Sequence, residues 1–161
     1  MAENQVDKSE NPPSPWLNIL ALVLSFFGVL VCVLGALAIY SSEAQTPSAT
    51  LWPLPGLILL LWAILGIVCF LLGLLTTRQG SLLFLQATWF VNGTFIPLII
   101  LGAFSIGPFV LVAFLLFVIS ALLLSIRQRP KWLNSFSLFL LGAVCNLVVL
   151  LLTISLGNTN Y

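Results

Sequence analysis

The chain has 161 residues, of which 61% are hydrophobic and only 6% are charged, and its mean hydropathy is +1.21. Soluble domains carry about 25% charged residues, so this composition indicates that lipid is the solvent for most of the chain. The net charge of +1 provides no basic surface for nucleic acid. Histidine is absent, which excludes His-ligated haem, most zinc sites, Ser–His hydrolysis and histidine proton relays.

The chain begins with a polar segment, residues 1–15, that contains Pro12, Pro13 and Pro15. This composition predicts a disordered cytosolic tail, which is either a solvated leader or a docking peptide for a cytosolic partner. The tail carries three acidic residues and one lysine, whereas a signal peptide has a positive start and a shorter apolar core. We therefore predict that the first apolar segment is a retained helix.

The rest of the chain consists of apolar runs that are long enough to cross about 30 Å of hydrocarbon. Residues 81–126 form one block that suffices for two crossings at about 1.5 Å per residue. The break is predicted at Ser105–Pro108, because Gly107 can end a helix and Pro108 can start the next. The sequence thus predicts an all-α membrane protein, a bundle of five transmembrane helices in a single domain, residues 16–156, with a short external tail, residues 157–161. The predicted spans are 16–40, 51–76, 81–104, 108–126 and 132–156.

The basic residues provide an independent indication of topology. With five spans, every one of them falls on the same side of the membrane: Lys8, Arg78, Arg127, Arg129 and Lys131. The positive-inside rule then places the N-terminus in the cytosol and the C-terminus outside. No Arg-rich organellar leader is present, so the predicted location is the inner (plasma) membrane of a cell.

Four tryptophans were assigned by their positions in the spans. Trp16 and Trp132 are predicted at the inner membrane interface, where amphipathic rings are enriched. Trp62 and Trp89 lie deeper in their spans, and we predict that they pack inside the bundle.

Small residues recur at helical spacing in several spans, and in lipid such positions allow helix backbones to approach closely. We predict that spans one and two form a close antiparallel hairpin through them and that span five has a small-residue face of its own. Span four has few polar residues and is predicted to meet the most lipid. The predicted packing positions are Ser25, Gly28, Cys32, Gly35, Gly56, Ala63, Gly66, Gly73 and Gly142.

Neutral polar residues mark a candidate intramembrane site, formed by Gln86, Thr88 and Asn92 in span three and Asn146 in span five. Pro97 lacks an N–H and is predicted to kink span three, which can mark a binding site in transporters. We expect the two asparagines to face the interior at similar depth and to bond each other or a shared water. Such amides serve either as interhelical glue, at about 0.6 to 2 kcal/mol, or as part of a ligand or permeation site.

No Asp, Glu, Lys or Arg lies inside a predicted span, which argues against ion-coupled transport. General acid–base catalysis needs a titratable group, so we expect no enzyme, no catalytic or metal site and no cofactor. The favoured function is a structural or accessory subunit that packs in the bilayer with other membrane proteins or with itself. The alternative is a small permease or channel component for a neutral or lipid-like solute.

Overall fold

The computed structural model describes residues 15–43, 54–101, 107–128 and 130–158. Ser105, Arg129, residues 1–14 of the predicted N-terminal tail and residues 159–161 of the C-terminal tail lie outside these residues. The described chain is an all-α bundle of five helices, each long and apolar enough to cross a membrane. Backbone polar groups in hydrocarbon must be satisfied within the segment, which is why apolar runs of this length become helices. The helices are α1 Pro15–Glu43, α2 Leu54–Gln79, α3 Leu82–Leu101, α4 Gly107–Gln128 and α5 Trp132–Asn158.

Local features of the sequence end one helix and begin the next at the end of the bundle that carries the basic residues. Gly80 has φ of 62° and its N–H bonds the carbonyl of Thr76 at 3.0 Å, which is the left-handed cap that ends α2. The Ser81 hydroxyl then accepts the N–H of Leu83 at 3.3 Å and caps α3. Between α4 and α5, Pro130 cannot continue a helix, and α5 begins at Trp132.

The first four helices form a ring in chain order, each antiparallel to its neighbours, and α2 and α4 also touch across it. Phe117 of α4 fills the middle of this ring. A Cβ atom at Gly28 of α1 would lie 2.8 Å from the Phe117 ring, and one at Gly66 of α2 would lie 4.0 Å from it. The ring centroid of Phe95 of α3 is 5.6 Å from that of Phe117.

The fifth helix lies outside the ring and packs along α3, with only slight contact to α2. Among the described spans, α3 has the largest share of buried residues, 56%, and α5 has the smallest, 22%. The prediction that span four meets the most lipid is therefore wrong, because 39% of its residues are buried, a larger share than in α1, α2 or α5. A helix on the edge of a ring keeps most of its circumference exposed, whereas α4 is enclosed by α1 and α3.

The prediction that Trp62 and Trp89 pack inside the bundle is confirmed. Trp62 and Trp89 are buried in the bundle, with exposed fractions of 0% and 8%, whereas Trp16 and Trp132 are exposed. Trp89 Nε1 donates to the Ser125 hydroxyl at 3.0 Å and so joins α3 to α4.

Candidate functional site

The candidate polar site is carried mainly by α3, and most of it is buried. Asn92 is fully buried, Thr88 and Thr94 are nearly so, and Gln86 is half-buried. The two threonines bond their own helix, with Thr88 Oγ1 donating to the Phe84 carbonyl at 2.9 Å and Thr94 Oγ1 to the Val91 carbonyl at 2.7 Å. Such bonds are the usual way for a hydroxyl to be satisfied inside a helix. Asn92, in contrast, directs its side-chain oxygen to another helix.

Asn92 faces α2. Its Oδ1 accepts a weak bond from the Cys69 thiol, with 3.6 Å between sulfur and oxygen, and its Nδ2 has no partner among the described residues. A thiol is a poor donor, so this fully buried amide is only partly satisfied. A buried polar group in that state is costly, which makes Asn92 the least satisfied polar side chain at the centre of α3.

Asn146 belongs to a different contact. Its Nδ2 donates to the backbone carbonyl of Thr94 at 2.5 Å and ties α5 to α3. Both asparagines are buried within the described part of the chain, as expected, but they do not bond each other. Of the two expected arrangements, the direct bond is absent, because Asn92 points to α2 while Asn146 approaches α3 from α5.

The bond from Asn146 lies close to Pro97. Pro97 is buried inside α3, which continues to Leu101. A proline at this position removes the N–H that would bond the Gly93 carbonyl, and Asn146 bonds the carbonyl of the next residue, Thr94. The amide therefore supplies an interhelical bond one residue after the carbonyl that Pro97 leaves without its helical partner.

The closest approach of two backbones occurs between α3 and α5. A Cβ atom at Gly93 would fall on the carbonyl oxygen of Phe139, and one at Gly142 would fall on the carbonyl oxygen of Phe90. Each glycine thus faces the backbone of the other helix, so the seam is reciprocal. Gly142 is one of the predicted packing positions, whereas Gly93 is not. The signal was present in the spacing, since Gly93 lies beside Asn92 and Gly142 lies one turn from Asn146.

The predicted seam between α1 and α2 is present in part. A Cβ atom at Gly66 would lie 2.8 Å from Cys32 Cβ, one at Gly35 would lie 2.6 Å from the Trp62 ring, and Gly73 faces Ser25. Gly28, in contrast, faces Phe117 of α4, so the small-residue face of α1 serves two neighbours. Ala63 is half-buried, and Gly56 lies outside the part of α2 whose surroundings are described.

A serine pair joins α1 to α4. The Ser120 hydroxyl donates to the Ala21 carbonyl at 2.8 Å, and the Ser25 and Ser120 oxygens are 2.7 Å apart. Because the single proton of Ser120 is used on Ala21, Ser25 donates to Ser120. Ser25 was predicted to pack against α2. Its bond to Ser120 of α4 depends on how the helices are arranged, which hydropathy does not reveal.

The basic residues of the described chain lie at one end of the bundle, which we call the basic end: Arg78, Arg127 and Lys131. Contacts between helix termini define it, since Arg127 Nη1 donates to Asn18 Oδ1 at 2.8 Å and Gln128 Nε2 to the Thr76 carbonyl at 3.5 Å. Arg78 and Lys131 are exposed. Glu43 is the only acidic residue in the described ranges, and it ends α1 at the opposite end.

The reactive groups in the described part of the chain are few. Cys32 and Cys69 are buried free thiols and Cys145 is an exposed one. No group of three or more His, Cys, Asp or Glu side chains within the described residues could hold a metal ion. The described residues can therefore hold helices together and offer N–H groups without partners, as at Trp62 and Asn92.

Comparison with known proteins adds no relative. The chain matches no protein-family model, no curated protein and no solved structure.

Proposed function

We propose that this membrane protein is a structural or accessory subunit that acts by packing against another transmembrane protein, and not by catalysis. The observation that carries the proposal is the position of α5. This helix uses one face on α3 and leaves the opposite face without a partner in the described chain.

The buried residues of α5 lie on one side of the helix, and exposed residues cover the rest of its circumference. Ser135, Gly142, Asn146 and Leu150 are buried and lie on the side of α3. The other side is exposed, and at about 100° per residue its members fall on one stripe: Ser137, Leu141, Val144, Val148 and Ser155. We call this stripe the outer face of α5. Small hydroxyl side chains such as Ser137 and Ser155 on a helix face in lipid favour contact with another helix.

The interior of the ring supports a packing role. Trp62, Phe95 and Phe117 are at most 1% exposed, and Phe117 lies between α1, α2 and α3. Large side chains thus fill the middle of the ring, where a conduction path through a single chain would have to run.

Affinity purification in mild detergent tests the proposal. The Val144→Trp/Val148→Trp variant enlarges the outer face of α5, and Leu34→Trp/Leu37→Trp enlarges an equally exposed stripe of α1 as a matched control. We expect a stoichiometric membrane partner, or a second copy of the chain, to co-purify with the wild type and the control but not with the α5 variant. Identical partner recovery with all three proteins would overturn the proposed interface.

A second candidate function is passage or binding of a neutral or lipid-like solute by an oligomer. The observation that favours it is a pair of fully buried N–H donors without partners among the described residues, Trp62 Nε1 and Asn92 Nδ2. Uptake of labelled glycerol by proteoliposomes is the test. Uptake above that of empty vesicles that falls with Asn92→Leu would support this candidate, whereas uptake equal to empty vesicles would remove it.

We also propose that the basic end faces the cytosol of the cell and that the protein lies in its plasma membrane. The support is the clustering of Arg78, Arg127 and Lys131 at one end, as the positive-inside rule requires of a cytosolic side.

A further inference from the structure

An open groove of about 420 Å³ runs between α1 and α2 on the outside of the bundle. Its walls are entirely apolar. The Phe26 and Phe70 rings meet edge to face across it, with centroids 6.1 Å apart, and Phe27 packs against Phe26 at 6.4 Å. The groove is lined by Leu22, Val23, Phe26, Phe27, Phe70 and Leu74.

The groove is aligned with a basic residue. Phe70, Leu74 and Arg78 follow one another at intervals of four residues, so they lie on the same face of α2. Leu74 lines the groove, and Arg78 lies one turn, or about 5.4 Å, further towards the basic end. Arg78 therefore lies on the groove-lining face of α2, just beyond the groove, and its side chain is exposed.

Arg78 has no acidic neighbour in the described part of the basic end. Arg127 is bonded to Asn18, and the one acidic residue of the described chain, Glu43, ends α1 at the far end. Within the described residues, the Arg78 guanidinium therefore has no carboxylate partner and can receive an anionic group at the membrane surface. A lipid phosphate is at the right depth, because basic residues that flank a membrane span attract anionic headgroups.

The residues that line the groove favour a lipid chain over a partner helix as its occupant. Helices associate closely in membranes through Gly, Ala and Ser, and the groove contains none of these. Its walls are the flexible or aromatic side chains of Leu, Val and Phe. A deformable acyl chain fits such walls better than a second helix backbone does.

We propose that this groove is a binding site for an anionic phospholipid, with one acyl chain between α1 and α2 and the phosphate at Arg78. The apolar groove supplies the contact area, and the arginine selects the headgroup. Because the site lies on α1 and α2, it is separate from the outer face of α5.

Native mass spectrometry of the detergent-purified full chain tests the proposal, with phosphatidylglycerol and phosphatidylcholine of identical acyl chains as probes. We expect one phosphatidylglycerol to be retained in preference to phosphatidylcholine. Arg78→Gln should lower this preference about fivefold, which corresponds to about 1 kcal/mol per basic residue at the membrane surface. Val23→Trp, which fills the groove from an exposed position, should reduce retention of both lipids.

Two matched variants serve as controls. Lys131→Gln removes an exposed charge at the same end of the bundle but away from the groove, and Leu34→Trp adds a ring to α1 outside the groove. Both should retain phosphatidylglycerol as the wild type does. The proposal is overturned if Lys131→Gln and Arg78→Gln lower retention equally, if Val23→Trp retains the lipid undiminished, or if Val23→Trp loses a co-purifying protein while its lipid remains.

Discussion

Gly93 and Gly142 are the residues at which a single methyl group has the largest predicted effect. Each lies against a backbone carbonyl of the other helix, Gly93 against Phe139 and Gly142 against Phe90. A flexible side chain can move away from a new methyl group, but a carbonyl in a packed helix moves only with the helix. The seam between α3 and α5 therefore depends on the absence of a Cβ atom at these two positions.

We predict that Gly93→Ala and Gly142→Ala each destabilise the bundle by about 1 to 3 kcal/mol, the usual cost of overpacking. The matched control is Gly73→Ala, whose Cβ would meet only the Ser25 hydroxyl at 3.4 Å and should be close to neutral. Equilibrium unfolding in mixed detergent and SDS micelles gives the free energies. Equal stability of all three variants would show that α3 and α5 do not approach at these glycines.

The two asparagines have opposite predicted effects because their hydrogen bonds differ. Asn146→Leu removes the donor to the Thr94 carbonyl and should cost about 0.6 to 2 kcal/mol. Asn92→Leu removes an amide whose Nδ2 has no partner among the described residues, so it should be neutral or stabilising. The same unfolding assay gives both values, and a loss with Asn92→Leu that exceeds the loss with Asn146→Leu would contradict the assignment.

The double variant adds an independent check on the two asparagines. Since they do not bond each other, their effects should add to within about 0.5 kcal/mol. A larger coupling would mean that the two amides share a partner.

At the scale of the elements, the bundle is a ring of four helices to which α5 is attached through α3. The interactions that attach α5 to the ring differ from those that join helices within the ring. The contact of α3 with α5 rests on glycines and one amide, whereas α1 and α4 are joined by the bonded pair Ser25 and Ser120. In each contact, a polar side chain forms a hydrogen bond to another helix that lipid could not provide.

We predict that Ser25→Ala and Ser120→Ala are coupled, because either change removes the hydrogen bond between them. Their interaction energy in a double-mutant cycle should be about 0.5 kcal/mol or more, measured by unfolding in detergent. Ser25→Ala with Asn146→Leu is the control cycle, since those residues lie on α1 and α5, whose backbones do not meet in the described chain, and it should show no coupling. Additive effects in the serine cycle would refute the bond across α1 and α4.

At the scale of the whole molecule, the two ends differ in charge. Arg78, Arg127 and Lys131 share one end, and the described residues of the other end include no basic side chain. We predict that a reporter fused after Tyr161 is external and that one inserted after Gln128, between α4 and α5, is cytosolic. Paired alkaline phosphatase and fluorescent-protein fusions measure this. A cytosolic reporter at Tyr161 would refute the proposed orientation.

Much of the architecture could be predicted from the sequence. Five apolar runs of this length are expected to form helices, because only a helix satisfies the backbone of a segment in hydrocarbon without a neighbouring strand. Burial of Trp62 and Trp89 followed from their depth in the spans. Within the candidate site, the buried positions of Asn92 and Asn146 were predicted, but their partners were not.

The sequence by itself therefore determined that lipid surrounds most of the chain, where the helices lie along it and which end of the bundle carries the basic residues. These properties depend on length, hydropathy and the order of residues along the chain. Only the tertiary structure decided that α5 lies outside the ring and that Gly93 and Gly142 face each other's helices. It also decided that Asn92 meets Cys69 while Asn146 meets Thr94. The physical reason is that every helix here is apolar nearly all round, so hydropathy does not reveal which side of a helix faces a neighbour. That choice is made by the shapes of small and large side chains at the contacts.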